Sequence, residues 1–128
     1  MATQSYNWIG KKVLIVEDDR VNLMMVRLFL ESTGITIFNA VNGDEAIELS
    51  IREKPDIILM DIRMPGMDGL DATRIIRMTD KTVPIIAVTA FAMPNDEGIA
   101  LAAGCSVFVT KPYNKNVLME RMNQLLLG

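Results

Sequence analysis

The chain has 128 residues, half of them apolar and 23% charged, the size and balance of one compact domain. Its longest apolar runs, such as Val13-Leu14-Ile15-Val16 and Ile57-Ile58-Leu59-Met60, fall far short of the roughly 20 residues that a membrane span requires. A net charge of −3 makes a poor attractant for nucleic-acid backbones, and a chain with no histidine carries no Ser/His triad, no His-ligated metal and no phosphohistidine of its own.

In chain order, residues 1–11 read as an arm or linker, with Tyr6 and Trp8 exposed and no secretory signal. Residues 12–128 read as the domain proper. A strand at 13–16 leads to a helix at 20–32, capped by Asp19 and stopped by Gly34. A strand at 35–40 precedes a helix at 43–53, opened by Asn42-Gly43-Asp44 and closed by Lys54-Pro55. Then come a strand at 56–60, a helix at 67–78, a strand at 85–88 and a helix at 92–103 ended by Ala103-Gly104. A strand at 107–109 and a helix at 114–127 complete the chain. On the last helix the spacing places Val117, Leu118, Arg121 and Leu125 inward. Met119, Met122 and Leu126 then point partly outward as a surface for a partner.

Three of the strands are continuous apolar blocks, which predicts burial on both faces of a parallel sheet. Strands alternating with helices through short loops predict a doubly wound α/β domain. In such a sheet, ligands bind beyond the carboxyl ends of the strands. Four strands deliver polar groups there: Glu17-Asp18-Asp19 after the first, Asp61 after the third, Thr89 after the fourth, Thr110-Lys111 after the fifth. The second, ending at Asn39-Ala40, offers nothing obvious. Taken singly, each group has an ordinary structural use as a cap, a turn former or a solvated lysine. Together they do not, because two like charges about 4 Å apart cost on the order of 4 kcal/mol at an effective dielectric of about 20. A carboxylate cluster without histidine or suitable cysteine predicts a hard cation, Mg²⁺ or Mn²⁺. With a lysine and a hydroxyl beside it, the set suits phosphoryl transfer. The single Cys105 forms no internal disulfide and, with the missing signal, points to the cytoplasm.

These blocks resemble the receiver domain of two-component response regulators. The likeness covers residues 12–127, through Val13-Leu14-Ile15-Val16-Glu17-Asp18-Asp19, Leu59-Met60-Asp61-Ile62-Arg63-Met64-Pro65-Gly66-Met67-Asp68-Gly69, Pro84-Ile85-Ile86-Ala87-Val88-Thr89-Ala90 and Phe108-Val109-Thr110-Lys111-Pro112. It implies a flavodoxin-like five-stranded sheet in order 2-1-3-4-5 with five helices. It implies that Asp61 accepts phosphate from a phosphohistidine, and that Glu17 and Asp18 hold Mg²⁺ with Asp61 and the backbone carbonyl of Arg63, whose side chain is then free to vary. Thr89 matches the switch hydroxyl, Lys111 the phosphate-pairing lysine, and Phe108 the switch aromatic. Lys111-Pro112 matches a peptide that the family usually holds cis. Two residues depart from the common pattern. Glu17, one methylene longer than aspartate, can act through water, and Phe108 lacks the hydroxyl of tyrosine.

The resemblance further implies a switch, rather than an enzyme with turnover, that catalyses its own phosphoryl uptake and loss and shifts the face of helix 4, strand 5 and helix 5. Its partner is a histidine kinase or a phosphotransfer domain, with room for a transient homodimer and no nucleic-acid or membrane contact by this domain. Asn7-Trp8-Ile9-Gly10-Lys11-Lys12 and Gly104-Cys105 resemble receivers of hybrid sensor histidine kinases, and the end at Leu127-Gly128 leaves no output domain. An excised hybrid-kinase receiver is therefore the first expectation of origin and a stand-alone regulator the second. An aspartate-nucleophile phosphatase would need a second aspartate where Arg63 stands. A docking module without phosphorylation would not need Asp18, Asp61, Thr89 and Lys111 together. No Gly-x-x-x-x-Gly-Lys-Ser/Thr loop occurs for a nucleotide.

Overall fold

The apolar blocks lie side by side as five parallel strands in a computed structural model that describes residues 5–63, 67–90, 93–111 and 114–127. The strands are β1 (Lys12–Val16), β2 (Thr36–Ala40), β3 (Ile57–Asp61), β4 (Ile85–Thr89) and β5 (Val107–Thr110). The helices are α1 (Arg20–Leu30), α2 (Gly43–Glu53), α3 (Gly69–Thr79), α4 (Asp96–Ala103) and α5 (Lys115–Leu127). The sheet order is β2-β1-β3-β4-β5, and every pairing is parallel. This is the predicted doubly wound fold.

Alternation along each strand divides the core into two layers. Val13, Ile15, Ile57, Leu59, Ile86, Val88 and Val109 face Val26 and Leu30 of α1 and Leu118, Met119 and Met122 of α5. Leu14, Val16, Ile58, Met60, Ile85 and Ala87 face Ala46 of α2, Ala72 and Ile76 of α3 and Ala100 of α4. β3 and β4 are buried at every position, as continuous apolar blocks require. Among the described residues, no helix is long and apolar enough to cross a membrane.

Local chemistry sets the helix ends. The Asp19 carboxylate accepts from the Val21 and Asn22 amides at the start of α1. α1 ends at Leu30 and tightens into a 3-10 turn, Glu31–Thr33, before Gly34 takes φ +80°. Asn42 caps α2, Asp68 caps α3, and Asn114 accepts from the Val117 amide at α5. Two helices begin later than their sequence patterns: α3 at Gly69 instead of 67, and α4 at Asp96 instead of 92.

Two expectations fail. Trp8 is 2% exposed rather than solvated. Its amide donates to the Thr33 carbonyl at 2.7 Å, and its Nε1–H donates to Asn123 Oδ1 at 3.1 Å. Tyr6 packs its ring against it, with centroids 5.1 Å apart. An indole buries much apolar area once its one polar atom has a partner, and α5 supplies that partner.

On α5 the buried residues are Leu118, Met119 and Met122, with Leu125 and Leu126 half-buried, whereas Val117 and Arg121 are exposed. At about 100° per residue, positions 118, 119, 122, 125 and 126 form one arc. Arg121 and Val117 lie beyond its edge. The methionines fill the core.

Candidate functional site

The parallel sheet brings the carboxyl ends of β1, β3, β4 and β5 to one edge. Glu17 follows β1, and its amide donates to the Ala40 carbonyl at 2.9 Å. Asp61 is the last residue of β3, Thr89 of β4, and Lys111 follows β5 with its amide on the Thr89 carbonyl at 2.8 Å. Glu17, Asp61 and Thr89 are buried, and Asp18 is exposed.

Lys111 ties the first two together. Its Nζ donates to Glu17 Oε1 at 2.6 Å and to Asp61 Oδ2 at 3.2 Å. Glu17 Oε2 accepts the Asp19 amide at 3.2 Å, and Asp61 Oδ1 accepts the Arg63 amide at 3.0 Å. One carboxylate oxygen from each of Glu17, Asp18 and Asp61 lies within 4.8 Å of the others. Burial dominates the Glu17 carboxyl and pushes its pKa above the usual range, against the pull of Lys111. Burial also opposes charge on Lys111, but the Glu17 hydrogen bond and the Asp61 charge outweigh it and hold the ammonium above its ordinary pKa.

The carboxylates open on a cleft of about 260 Å³ whose rim includes Asn22, Arg63 and Ala90. Its chemistry is a hard oxygen donor set beside one ammonium, room for a small anion, and a buried threonine at the adjoining strand end. The expected residues Glu17, Asp18, Asp61 and Lys111 are thus brought together. Thr89 is paired in register with Thr110 on the neighbouring strand. Phe108 is half-buried and packs on the α2–α4 side of the sheet. Met64-Pro65-Gly66 and the Lys111–Pro112 peptide lie outside the described residues.

Two residues escaped the sequence reading. Asn39 donates through Nδ2 to the carbonyls of Ile15, at 2.9 Å, and Glu17, at 3.4 Å, so β2 does serve the site by holding the end of β1. An asparagine between Phe38 and Ala40 inside a strand was the available signal. The second is Asp96, whose Oδ2 accepts from Arg63 Nη2 at 2.8 Å. The Met93 amide reaches the same oxygen, and that bond first and the arginine second hold the Asp96 carboxyl below its ordinary pKa. The Arg63 side chain therefore has a buried carboxylate partner in this chain.

Comparisons with known proteins agree with this geometry. The response regulator receiver domain family matches residues 13–123. The polar-differentiation response regulator DivK of Brucella anthropi is 37% identical over 118 residues, 91% of this chain and 96% of that protein. A crystal structure of the receiver domain of a sensor histidine kinase from Pseudomonas aeruginosa, with a magnesium ion coordinated in its active-site cleft, superposes with a TM-score of 0.86. It is 35% identical, and the match covers 93% of this chain and 99% of that one. The signal receiver domain of a histidine kinase from Syntrophus aciditrophicus gives a TM-score of 0.84 at 33% identity, over 93% of this chain and 92% of that one. With its sheet order, its strand-end carboxylates and its lysine in place, this chain belongs to the response regulator receiver domain family.

Proposed function

We propose that this receiver domain takes a phosphoryl group from a phosphohistidine onto Asp61 in a two-component phosphorelay. The observation that carries this reading is the Glu17–Lys111–Asp61 ion-paired group, with Asp18 beside it at the mouth of an open cleft. An Asp61 carboxylate oxygen attacks phosphorus, the P–N bond to the donor imidazole breaks, and an acyl phosphate forms. Lys111 faces the charge that develops on the phosphoryl oxygens, and the Thr89 hydroxyl donates to one of them. The donor histidine lies on another domain or another chain, since these 128 residues have none.

Glu17, Asp18 and Asp61, with the backbone carbonyl of Arg63, would hold Mg²⁺, and Mn²⁺ could replace it. Three clustered carboxylates beside one ammonium fit a hard dication. When bound, the ion neutralises charge on the transferring group. Thr89 and Phe108 then carry the change toward α4, β5 and α5, shifting a pre-existing population. A transient homodimer, and a cytoplasmic site of action, belong to the same reading.

The experiment is incubation with phosphoramidate and Mg²⁺, read by intact mass. Wild type should gain one phosphoryl group and Asp61→Asn none, with an unchanged circular dichroism spectrum. A labelled Asp61→Asn, or a wild type that stays unlabelled where another receiver labels, overturns the assignment.

Two origins are supported. Similarity to receivers of sensor histidine kinases favours the C-terminal receiver of a hybrid kinase. The match to 96% of DivK, a response regulator of nearly the same length, favours a stand-alone regulator. The reading frame upstream of Met1 in the native gene decides between them: a kinase core there establishes the first, a stop codon the second.

A further inference from the structure

Arg63 stands two residues beyond Asp61 and bonds in two directions. Its amide donates to Asp61 Oδ1 at 3.0 Å, while its guanidinium donates to Asp96 Oδ2 at 2.8 Å. Asp96 is the first residue of α4 and is only 8% exposed. The helix lacks a side-chain cap at Asn95, and the Asp96 carboxylate instead gathers the Met93 amide and the guanidinium on one oxygen. A short path of bonded contacts thus runs from the proposed phosphoacceptor to the start of α4.

We infer that Arg63 transmits phosphorylation to α4 by changing partners: its guanidinium leaves Asp96 for the phosphoryl oxygens on Asp61, and the first turn of α4 loses a tether. This rests on the Asp61 reading above. The physical grounds lie in the charges. A phosphoryl group carries nearly two negative charges and three acceptor oxygens, and it matches the guanidinium fork in a way that one carboxylate oxygen does not. Lys111 already divides its ammonium between Glu17 and Asp61. Among the described residues lining the cleft, Arg63 and Lys111 are the two cations. The Arg63 side chain is 48% exposed, so solvent weakens its bond to Asp96 and makes the exchange inexpensive. Its amide is fixed to Asp61, so the long side chain pivots beside the new anion. Arg63 is a positioning residue here, acting on α4 through Asp96.

Hydrogen exchange at residues 93–100 tests this, with wild type, Arg63→Gln and Asp96→Asn each measured with and without phosphoramidate and Mg²⁺. Intact mass records Asp61 labelling in the same samples. In wild type, labelling should speed exchange in the first turn of α4 by about tenfold. Asp96→Asn should label at Asp61, and Arg63→Gln, which loses a cation beside the phosphoryl group, should label more slowly; compared at equal labelled fraction, both should exchange at the faster rate without phosphate and respond no further. A labelled wild type with unchanged exchange at α4 overturns the inference and leaves the phosphoacceptor standing. So does an Arg63→Gln protein that keeps the full phosphate response. An unlabelled wild type overturns both.

Discussion

Trp8 is the single tryptophan of the chain, and its indole is buried between the end of α1 and α5. Replacing a buried Trp by Ala costs about 3–5 kcal/mol, through lost transfer energy and an unfilled cavity. Trp8→Ala should therefore lower stability by about that much, and Trp8→Phe by much less, since it keeps a ring and forfeits mainly the Nε1 bond to Asn123. Urea denaturation measures both. In wild type the fluorescence should be blue-shifted and should move red in step with loss of helix signal. A solvent-like emission in the folded protein would refute the docked indole. We infer that the folding unit begins upstream of Lys12. Trp8 was misread because burial here is not written locally. Its neighbours Asn7, Ile9 and Gly10 form no strand or helix pattern, and the partner that satisfies its nitrogen lies 115 residues away. Asp61 was readable for the opposite reason: a carboxylate that ends a run of four apolar residues has its strand, its edge and its burial set by adjacent sequence.

At the level of elements, the site depends on how closely α3 approaches the end of β3. Gly69 opens α3, and a β-carbon built on it would overlap the Asp61 carbonyl and come within 2.7 Å of Ile62 Cα. Those are backbone atoms, so they cannot swing aside as a flexible side chain would. Gly69→Ala should cost about 1–3 kcal/mol, the usual range for overpacking, and should slow phosphoramidate labelling of Asp61 by moving its backbone. Unfolding curves and labelling rates of the same variant check this; a variant with wild-type values in both would show that the approach is looser than described. Element order was legible, because continuous apolar blocks identify buried parallel strands and each cap lies within three residues of what it caps. The facing of α5 was less so. Val117, Leu118, Met119, Met122, Leu125 and Leu126 spread over much of the helix, and an apolar pattern that wide fits more than one inward arc. The Arg63–Asp96 pair lay beyond local reading altogether, since it needs residues 33 apart brought together by the β3–β4 pairing.

For the molecule as a whole, the sheet edge is a place where stability and function pull apart. Three carboxylates meet within 4.8 Å, and one ammonium cannot offset them all. Like charges at such separations cost on the order of 3 kcal/mol at an effective dielectric of about 20, moderated at Asp18 by its exposure to water. The packed layers on both sides of the sheet hold the groups in place despite that repulsion. A cation that binds only the folded state reverses the sign of the effect, adding about 2.7 kcal/mol when present at about 100 times its dissociation constant. Asp18 is the residue that separates the two contributions, because changing it leaves the buried Glu17–Lys111–Asp61 bonds in place. In chelator, Asp18→Asn should be more stable than wild type by about 0.5–1 kcal/mol, having lost one repelling charge. In saturating Mg²⁺ the order should invert, since wild type gains the binding energy and the variant gains little. Two urea titrations of each protein, with chelator and with Mg²⁺, measure the crossing. If Asp18→Asn is the less stable protein in chelator, the carboxylate supports the fold as a cap or turn former would. If Mg²⁺ stabilises both proteins equally, Asp18 is not among its ligands. The crossing itself would show that the cluster costs the empty domain stability and returns it when the cation proposed for phosphoryl transfer is bound.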